Sequence, residues 1–302
     1  MSTSEPEEVP RLESTYFSGN SLQLYLHHLP DCPVNDQGTY AENVVRMPKI
    51  TDRLDASIAR SVPIPARPPN VTIVLDKRFL CSTWRIAHVW TAHVHNASPN
   101  AIYPRTMVAK IYDPVYFGEA EFYDPFTLRD LFVSRETQAY QRLQSLYGTK
   151  VPRFYGHFVA PLPSQHNRTV NVVLLEYIHG RDIRELASNE KAGALCPTHK
   201  DTLIDAVLRL YHDVYALGVA QRDMQPRNVM LRARRNDGPF CSTQGCPLRY
   251  EADSKDVQMV LVDFEVVEFL EPDSKYSDPV TQAAYVDDAR PLYNQYWLKN
   301  LT

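Results

Sequence analysis

The sequence predicts an α+β chain, with strands crowded into its first part and helices into its second. Three observations support this. Runs of β-branched and apolar residues recur between Val71 and Ile178, the strongest helical periodicity falls after Gly180, and a Pro-rich joint precedes the first strand. The chain has 302 residues, 44% apolar and 23% charged, with a formal net charge of −4. That composition supports a buried core and excludes wholesale disorder, collagen and a disulfide scaffold. The balance of charge supplies no basic field for nucleic acid. No run of 18 apolar residues occurs, so no membrane span is expected. The first residues, Met1-Ser-Thr-Ser-Glu-Pro-Glu-Glu, carry neither a basic nor an apolar block of a secretory signal. The expected compartment is cytoplasmic, with a nuclear location also compatible.

Residues 1–68 read as a weakly structured, partly disordered extension with one short apolar patch, Leu22–Leu26, that reads as a strand or one helical turn. Pro63, Pro65, Pro68 and Pro69 disfavour helix and mark a boundary. Beyond it, Val71–Leu75, Trp84–Val94 and Arg105–Tyr112 read as strands because β-branched and aromatic residues dominate. Val133, Thr137, Tyr140, Leu143 and Leu146 recur at helical spacing and predict a helix over 134–147, with Ser134 as its N-cap. Arg153–Val159 and Asn171–Ile178 read as two further strands joined by a hairpin-like loop. In the second part, Leu203, Val207, Leu210, Val214 and Leu217 predict a helix over 200–217, closed by Gly218. Asn228–Leu231 and Val257–Val262 read as short strands, residues 233–256 as a polar surface loop, and 280–298 as an amphipathic stretch. The expected domains are 1–68, 69–178 and 179–302.

There are five cysteines. Cys241 and Cys246 lie close together, and Cys196 stands three residues before His199. A long stretch of unrelated pattern separates the two pairs, so reduced thiols are expected rather than zinc.

Polar residues interrupt the apolar elements at particular places. Lys110 ends Val108-Ala-Lys110 within a strand, and Glu136 lies on the following helix. Glu176-Tyr-Ile178 closes a buried strand. Gln221-Arg-Asp223-Met-Gln-Pro-Arg-Asn228 follows the long helix, and Val262-Asp263-Phe-Glu265 ends an apolar strand.

In this order the motifs resemble the protein-kinase-like superfamily, over roughly residues 71–266. Within it, the details are more similar to aminoglycoside phosphotransferases, choline kinases and small fungal kinase-like proteins. The resemblance implies a two-lobed fold, with an antiparallel N-lobe sheet and one helix followed by a mainly helical, shortened C-lobe. It implies that Asp223 accepts the proton of an acceptor hydroxyl. Asn228 and Asp263 would hold Mg²⁺, a hard cation that takes oxygen ligands. Lys110, positioned by Glu136, would contact the ATP phosphates, and the backbone of Glu176 and Ile178 would meet the adenine. Glu119 and Glu121 compete with Glu136, but both precede the helix.

The sequence also departs from the family pattern. The nucleotide-covering turn at 80–89 contains no glycine, so side chains would crowd a phosphate. Gln221 replaces a His, a loss expected to be mainly structural. Only 37 residues follow Glu265, which leaves no room for a full peptide-docking platform. Two functions of different class are therefore weighed. The first is an ATP- and Mg²⁺-dependent phosphotransferase acting on an unidentified hydroxyl of a small molecule or protein. The second is a pseudokinase serving as a nucleotide-binding or scaffolding module. Neither nucleic acid nor membrane is an expected partner.

Overall fold

The computed structural model describes residues 15–28, 49–79, 87–97, 102–117, 124–186, 194–233, 238–253, 256–270, 283–287 and 290–291. The chain divides into two compact units. The first comprises residues 1–137 and 154–177, and the second 138–153 and 178–302.

The first unit is a closed antiparallel barrel in the order β1-β2-β3-β4-β6-β5. Its strands are β1 (Ser21–Leu26), β2 (Val71–Arg78), β3 (Ala87–Ala97), β4 (Thr106–Tyr112), β5 (Phe154–Leu162) and β6 (Arg168–Glu176). Alternation puts every second side chain inside. Val71, Ile73 and Leu75 of β2, Met107, Ala109 and Ile111 of β4, and Val170, Val172 and Leu174 of β6 share one buried core with Leu22 and Leu24 of β1. Closure leaves no unpaired sheet edge exposed to other chains.

Described residues of the stretch 1–68 pair and pack with the barrel. β1 pairs with β2 through Ser21↔Val74 to Leu24↔Val71, and with β5 through Tyr25↔Val159. The barrel needs that strand to close. Helix α1 (Ile50–Ala59), absent from the sequence reading, also belongs to this unit. Its Arg53 donates to the carbonyls of Pro114 and Phe117. Of the two alternatives the Leu22–Leu26 patch offered, the structure takes the strand, whereas local pattern missed α1, which is short and is stabilised by distant partners.

An ion network further anchors this segment. Arg168 grips Asp113 through two bonds, Nη1 to Oδ1 at 2.9 Å and Nη2 to Oδ2 at 2.7 Å. Arg168 Nε donates to Gln165 Oε1, and Nη1 also reaches Ser57 Oγ of α1. Tyr16, just before β1, donates its hydroxyl to Asp113 Oδ2 at 2.7 Å. Burial, then the neighbouring Asp113 charge, pushes the Tyr16 phenol well above its ordinary range. Asp113 and Arg168 are both 0% exposed.

Helix α2 spans Pro125–Arg142, starting well before the expected 134. Its first turn is set by Asp124-Pro125. Proline suits the first helical position, and Asp124 Oδ2 accepts from Thr127 N at 2.8 Å and Thr127 Oγ1 at 2.7 Å. Ser134 therefore lies inside the helix rather than capping it.

The second unit, expected to be mainly helical, has one long helix among its described residues, α3 (Pro197–Ala216). Leu203, Val207, Leu210 and Val214 form its buried stripe, and Gly218, at φ 77°, follows its end in the left-handed conformation that glycine permits. Five short strands accompany it: β7 (Gly180–Asp182), β8 (Val219–Gln221), β9 (Val229–Arg232), β10 (Met259–Leu261) and β11 (Val267–Phe269). They form a β10-β9-β7 sheet and a β11-β8 pair. Of the stretch expected at 280–298, residues 283–287 form a helical turn.

Candidate functional site

Within the barrel, Met107, Ala109 and Ile111 of β4 point inward. By alternation, Lys110 and Tyr112 lie on the opposite face. Lys110 is buried, and its Nζ donates to Glu136 Oε1 of α2 at 2.9 Å. Glu136 is 0% exposed and also accepts the Tyr112 hydroxyl on Oε2. Lys110 Nζ lies 5.4 Å from the centre of the Tyr112 ring. The two residues singled out from sequence are thus a direct buried pair. Tyr112 is a third member that strand alternation could have signalled, since it stands two residues after Lys110.

Glu176 ends β6 opposite Met107 and is part-buried. Ile178, buried, begins the second segment of the second unit. Glu119, Glu121 and residues 80–86 of the glycine-free turn lie outside the described residues.

In the second unit, β9 and β10 are antiparallel, with Val229 opposite Leu261. Asn228 immediately precedes β9, and Asp263 follows β10 by two residues. The antiparallel register therefore brings these two residues to the same end of the hairpin. The bond from Val262 N to Asn228 O at 2.8 Å fixes that proximity. Asn228 Nδ2 donates to both the backbone carbonyl and Oδ2 of Asp223, each at 2.9 Å. Its amide hydrogens being engaged there, Oδ1 is the atom suited to accept a cation.

Asp223 Oδ2 also accepts from Arg227 Nη2 at 2.6 Å. Arg227 went unnoticed in the sequence, although it follows Asp223 by four residues. Both side-chain donors grip Oδ2, and among the described residues no hydrogen bond reaches Oδ1.

Gln221 links the two loops. Its Nε2 donates to the Asp263 carbonyl at 2.6 Å, while its Oε1 accepts from Asp223 N at 3.0 Å. The expected structural loss at this position is corrected by that geometry, because an amide has a donor and an acceptor end and uses both. Tyr285 donates its hydroxyl to the Gln221 carbonyl at 3.0 Å and stacks on Tyr215 of α3, ring centres 4.2 Å apart. Burial raises the Tyr285 phenol far above its ordinary value, so it remains a donor. Residues after Glu265 thus contribute directly to this loop.

Asp263 adopts φ 70°. A left-handed conformation costs a residue with a Cβ about 1–2 kcal/mol, although Asp tolerates it better than most. The fully buried Phe264 fixes the turn, meeting Tyr140 edge-on with ring centres 5.1 Å apart. Strain of this kind, held by surrounding packing, concentrates at functional sites.

No protein-family model matches the chain. It is 29% identical over 84 residues to the serine/threonine-protein kinase pkn3 of Myxococcus xanthus, covering 28% of this chain and 15% of that protein. The chain therefore matches only a small part of that relative's length. Among solved structures, it is similar to WaaP in complex with acyl carrier protein, with a TM-score of 0.41 and 14% identity over 82% of this chain and 81% of the other. It is also similar to the Rio2 kinase-ADP/Mg²⁺-phosphoaspartate complex from Chaetomium thermophilum, with a TM-score of 0.44 and 12% identity over 82% and 59%. The Mycobacterium tuberculosis PknI kinase domain gives 0.39 and 18% over 64% and 60%. Three of these four relatives, pkn3, Rio2 and PknI, are named as kinases, and none of these structural likenesses reaches a TM-score of 0.5.

Proposed function

We propose that this chain is a protein-kinase-like phosphotransferase that binds ATP with Mg²⁺ and moves the γ-phosphate to a hydroxyl. The observation that carries this reading is the linked group Asp223, Asn228 and Asp263. One amide, Asn228, holds Asp223 and borders the turn that presents Asp263. Such a set supplies the two roles phosphoryl transfer asks of protein side chains, orientation of the acceptor and neutralisation of phosphate charge.

Asp223 Oδ1 would take the hydroxyl proton, while Arg227 and Asn228 keep the carboxylate oriented through Oδ2. Asn228 Oδ1 and the Asp263 carboxylate are hard oxygen donors and fit Mg²⁺. When bound, the ion would neutralise phosphate charge. Lys110, held by Glu136, would meet the α- and β-phosphates, and the backbone at Glu176 and Ile178 would meet the adenine. The acceptor is a hydroxyl of a small molecule or a protein.

A pseudokinase is the second reading, favoured by the glycine-free turn at 80–89. ATP turnover by the wild-type chain and by Asp223→Asn separates the two. A slow Mg²⁺-dependent phosphate release that Asp223→Asn abolishes supports transfer. Nucleotide binding without turnover supports the pseudokinase. No nucleotide binding contradicts transfer and leaves only the scaffolding form of the pseudokinase.

A further inference from the structure

Cys196, His199, Cys241 and Cys246 come from two distant stretches of sequence but share one place in the second unit. Their three sulfurs and one imidazole nitrogen all lie within 4.8 Å of one another. We propose that these four side chains form a structural zinc site of the Cys₃His type.

The geometry fits that ion. Zinc in closed sites is tetrahedral, with Zn–S near 2.3 Å and Zn–N near 2.0–2.1 Å, which places ligand atoms roughly 3.5–3.8 Å apart. Cys196 Sγ and Cys246 Sγ lie 3.1 and 3.3 Å from His199 Nδ1. The imidazole is also oriented for the task. Its Nε2 lies 2.9 Å from the Ala252 carbonyl, which only accepts, so Nε2 carries the hydrogen and Nδ1 presents a lone pair to the sulfurs. A hydrogen bond from the far ring nitrogen to a backbone carbonyl is the usual support of a zinc-bound histidine. His199, Cys196 and Cys246 are buried, and Cys241 is part-exposed.

Local structure prepares each half. Cys196 is the N-cap of α3 and makes no side-chain capping bond, with Pro197 opening the helix. His199 sits three residues on, in the same first turn. In the other half, Cys246 N bonds Thr243 O across a turn whose third residue is Gly245 at φ 87°. That conformation is the type II pattern that favours glycine.

All three cysteines are free thiols in the structure. Four protein ligands complete a tetrahedron and leave no position for substrate, so the role is structural. The site would clamp residues 238–252, which lie between β9 and β10, to the start of α3. These are the strands whose ends present Asn228 and Asp263. The segment expected to be a polar surface loop is thus partly buried, through Cys246, Leu248 and Ala252.

The test is elemental analysis of the full chain, purified with reductant and without chelator, together with cobalt substitution. The expected result is one zinc per chain, and for the Co²⁺ form a tetrahedral ligand-field spectrum with thiolate charge-transfer bands. Cys246→Ser and His199→Asn should each lower metal affinity by about ten-fold or more, while Cys32→Ser with Cys81→Ser leaves it unchanged. The cobalt spectrum of the wild-type chain decides the matter even where a variant fails to fold. Metal-free protein whose Co²⁺ form lacks charge-transfer bands would overturn the proposal. So would unchanged metal affinity in a folded Cys246→Ser variant, or a disulfide among these cysteines in the freshly purified chain.

Discussion

Among the described residues, the barrel unit buries two ion pairs, Arg168–Asp113 and Lys110–Glu136, and they are built differently. Arg168 offers a planar fork that meets Asp113 at two points and reaches Gln165 and Ser57 as well. It joins β6 to α1, to the turn after β4 and, through Tyr16, to the entrance of β1. Lys110 offers a point charge on a flexible stem, paired with the Glu136 carboxylate that Tyr112 also holds. Guanidinium networks of the first kind fix geometry, whereas an ammonium group can exchange or share its anionic partner. The contrast suits the first pair to holding the fold, and the second to the nucleotide-binding role proposed for Lys110.

The largest expected effect tests the first half of that contrast. Arg168→Met should leave Asp113 buried without its cation and cost about 3–5 kcal/mol. Chemical denaturation would show the loss directly, and a variant as stable as wild type would break the comparison. An acid titration probes a buried cation site that lacks a carboxylate. His157 sits between the His27 carbonyl and the Asn171 amide, at 3.1 and 2.8 Å. Burial, partly opposed by the Asn171 bond, pushes its pKa down to about 4. Its folded pKa lies below the unfolded value of about 6.5, so the unfolded chain binds the extra proton between these values. Its contribution, about 3 kcal/mol from that difference, is intact above pH 6.5 and fades as pH falls toward about 4. Replacing His157 with Gln should flatten this part of the stability profile.

Lys110→Met tests the other half. Removing it strands one carboxylate, which can take up a proton and keep Tyr112, so the stability loss should be smaller than for Arg168→Met. Losing one charge-assisted bond to phosphate, about 1.5–3 kcal/mol, should weaken ATP binding roughly ten-fold to a hundred-fold. Stability loss equal to that of Arg168→Met, with normal affinity in the folded fraction, would make Lys110 structural. The smallest effect belongs to Tyr285→Phe, which removes one neutral hydrogen bond to Gln221 and should cost about 1 kcal/mol.

Strands β2 to β6 were legible because runs of β-branched and aromatic residues, such as Val71–Leu75, are a local signal. Closure of the sheet into a barrel was not, since it depends on pairing between distant strands. The Lys110–Glu136 pair and the Asp223-to-Asn228 spacing were legible through the resemblance to a known motif order. β1 was legible only in part, since Leu22–Leu26 is too short to choose between a strand and a helical turn and is fixed as a strand by pairing with β2 and β5. The Asp113–Arg168 pair spans 55 residues, and no local pattern links such positions. The start of α2 was legible in Asp124-Pro125 but was outweighed by the periodicity that begins at Val133. The cysteine cluster was concealed because its halves lie on either side of α3 and β9, and only the fold brings them together.

The central claim is that Asn228 and Asp263 present a metal–nucleotide site beside Asp223. Calorimetric titration of ATP into the wild-type chain and into Asp263→Asn, each with and without Mg²⁺, tests it most directly. The account predicts that Mg²⁺ strengthens ATP binding to the wild type and that Asp263→Asn, still folded, loses this dependence. Equal Mg²⁺-ATP affinity in the two chains would contradict it.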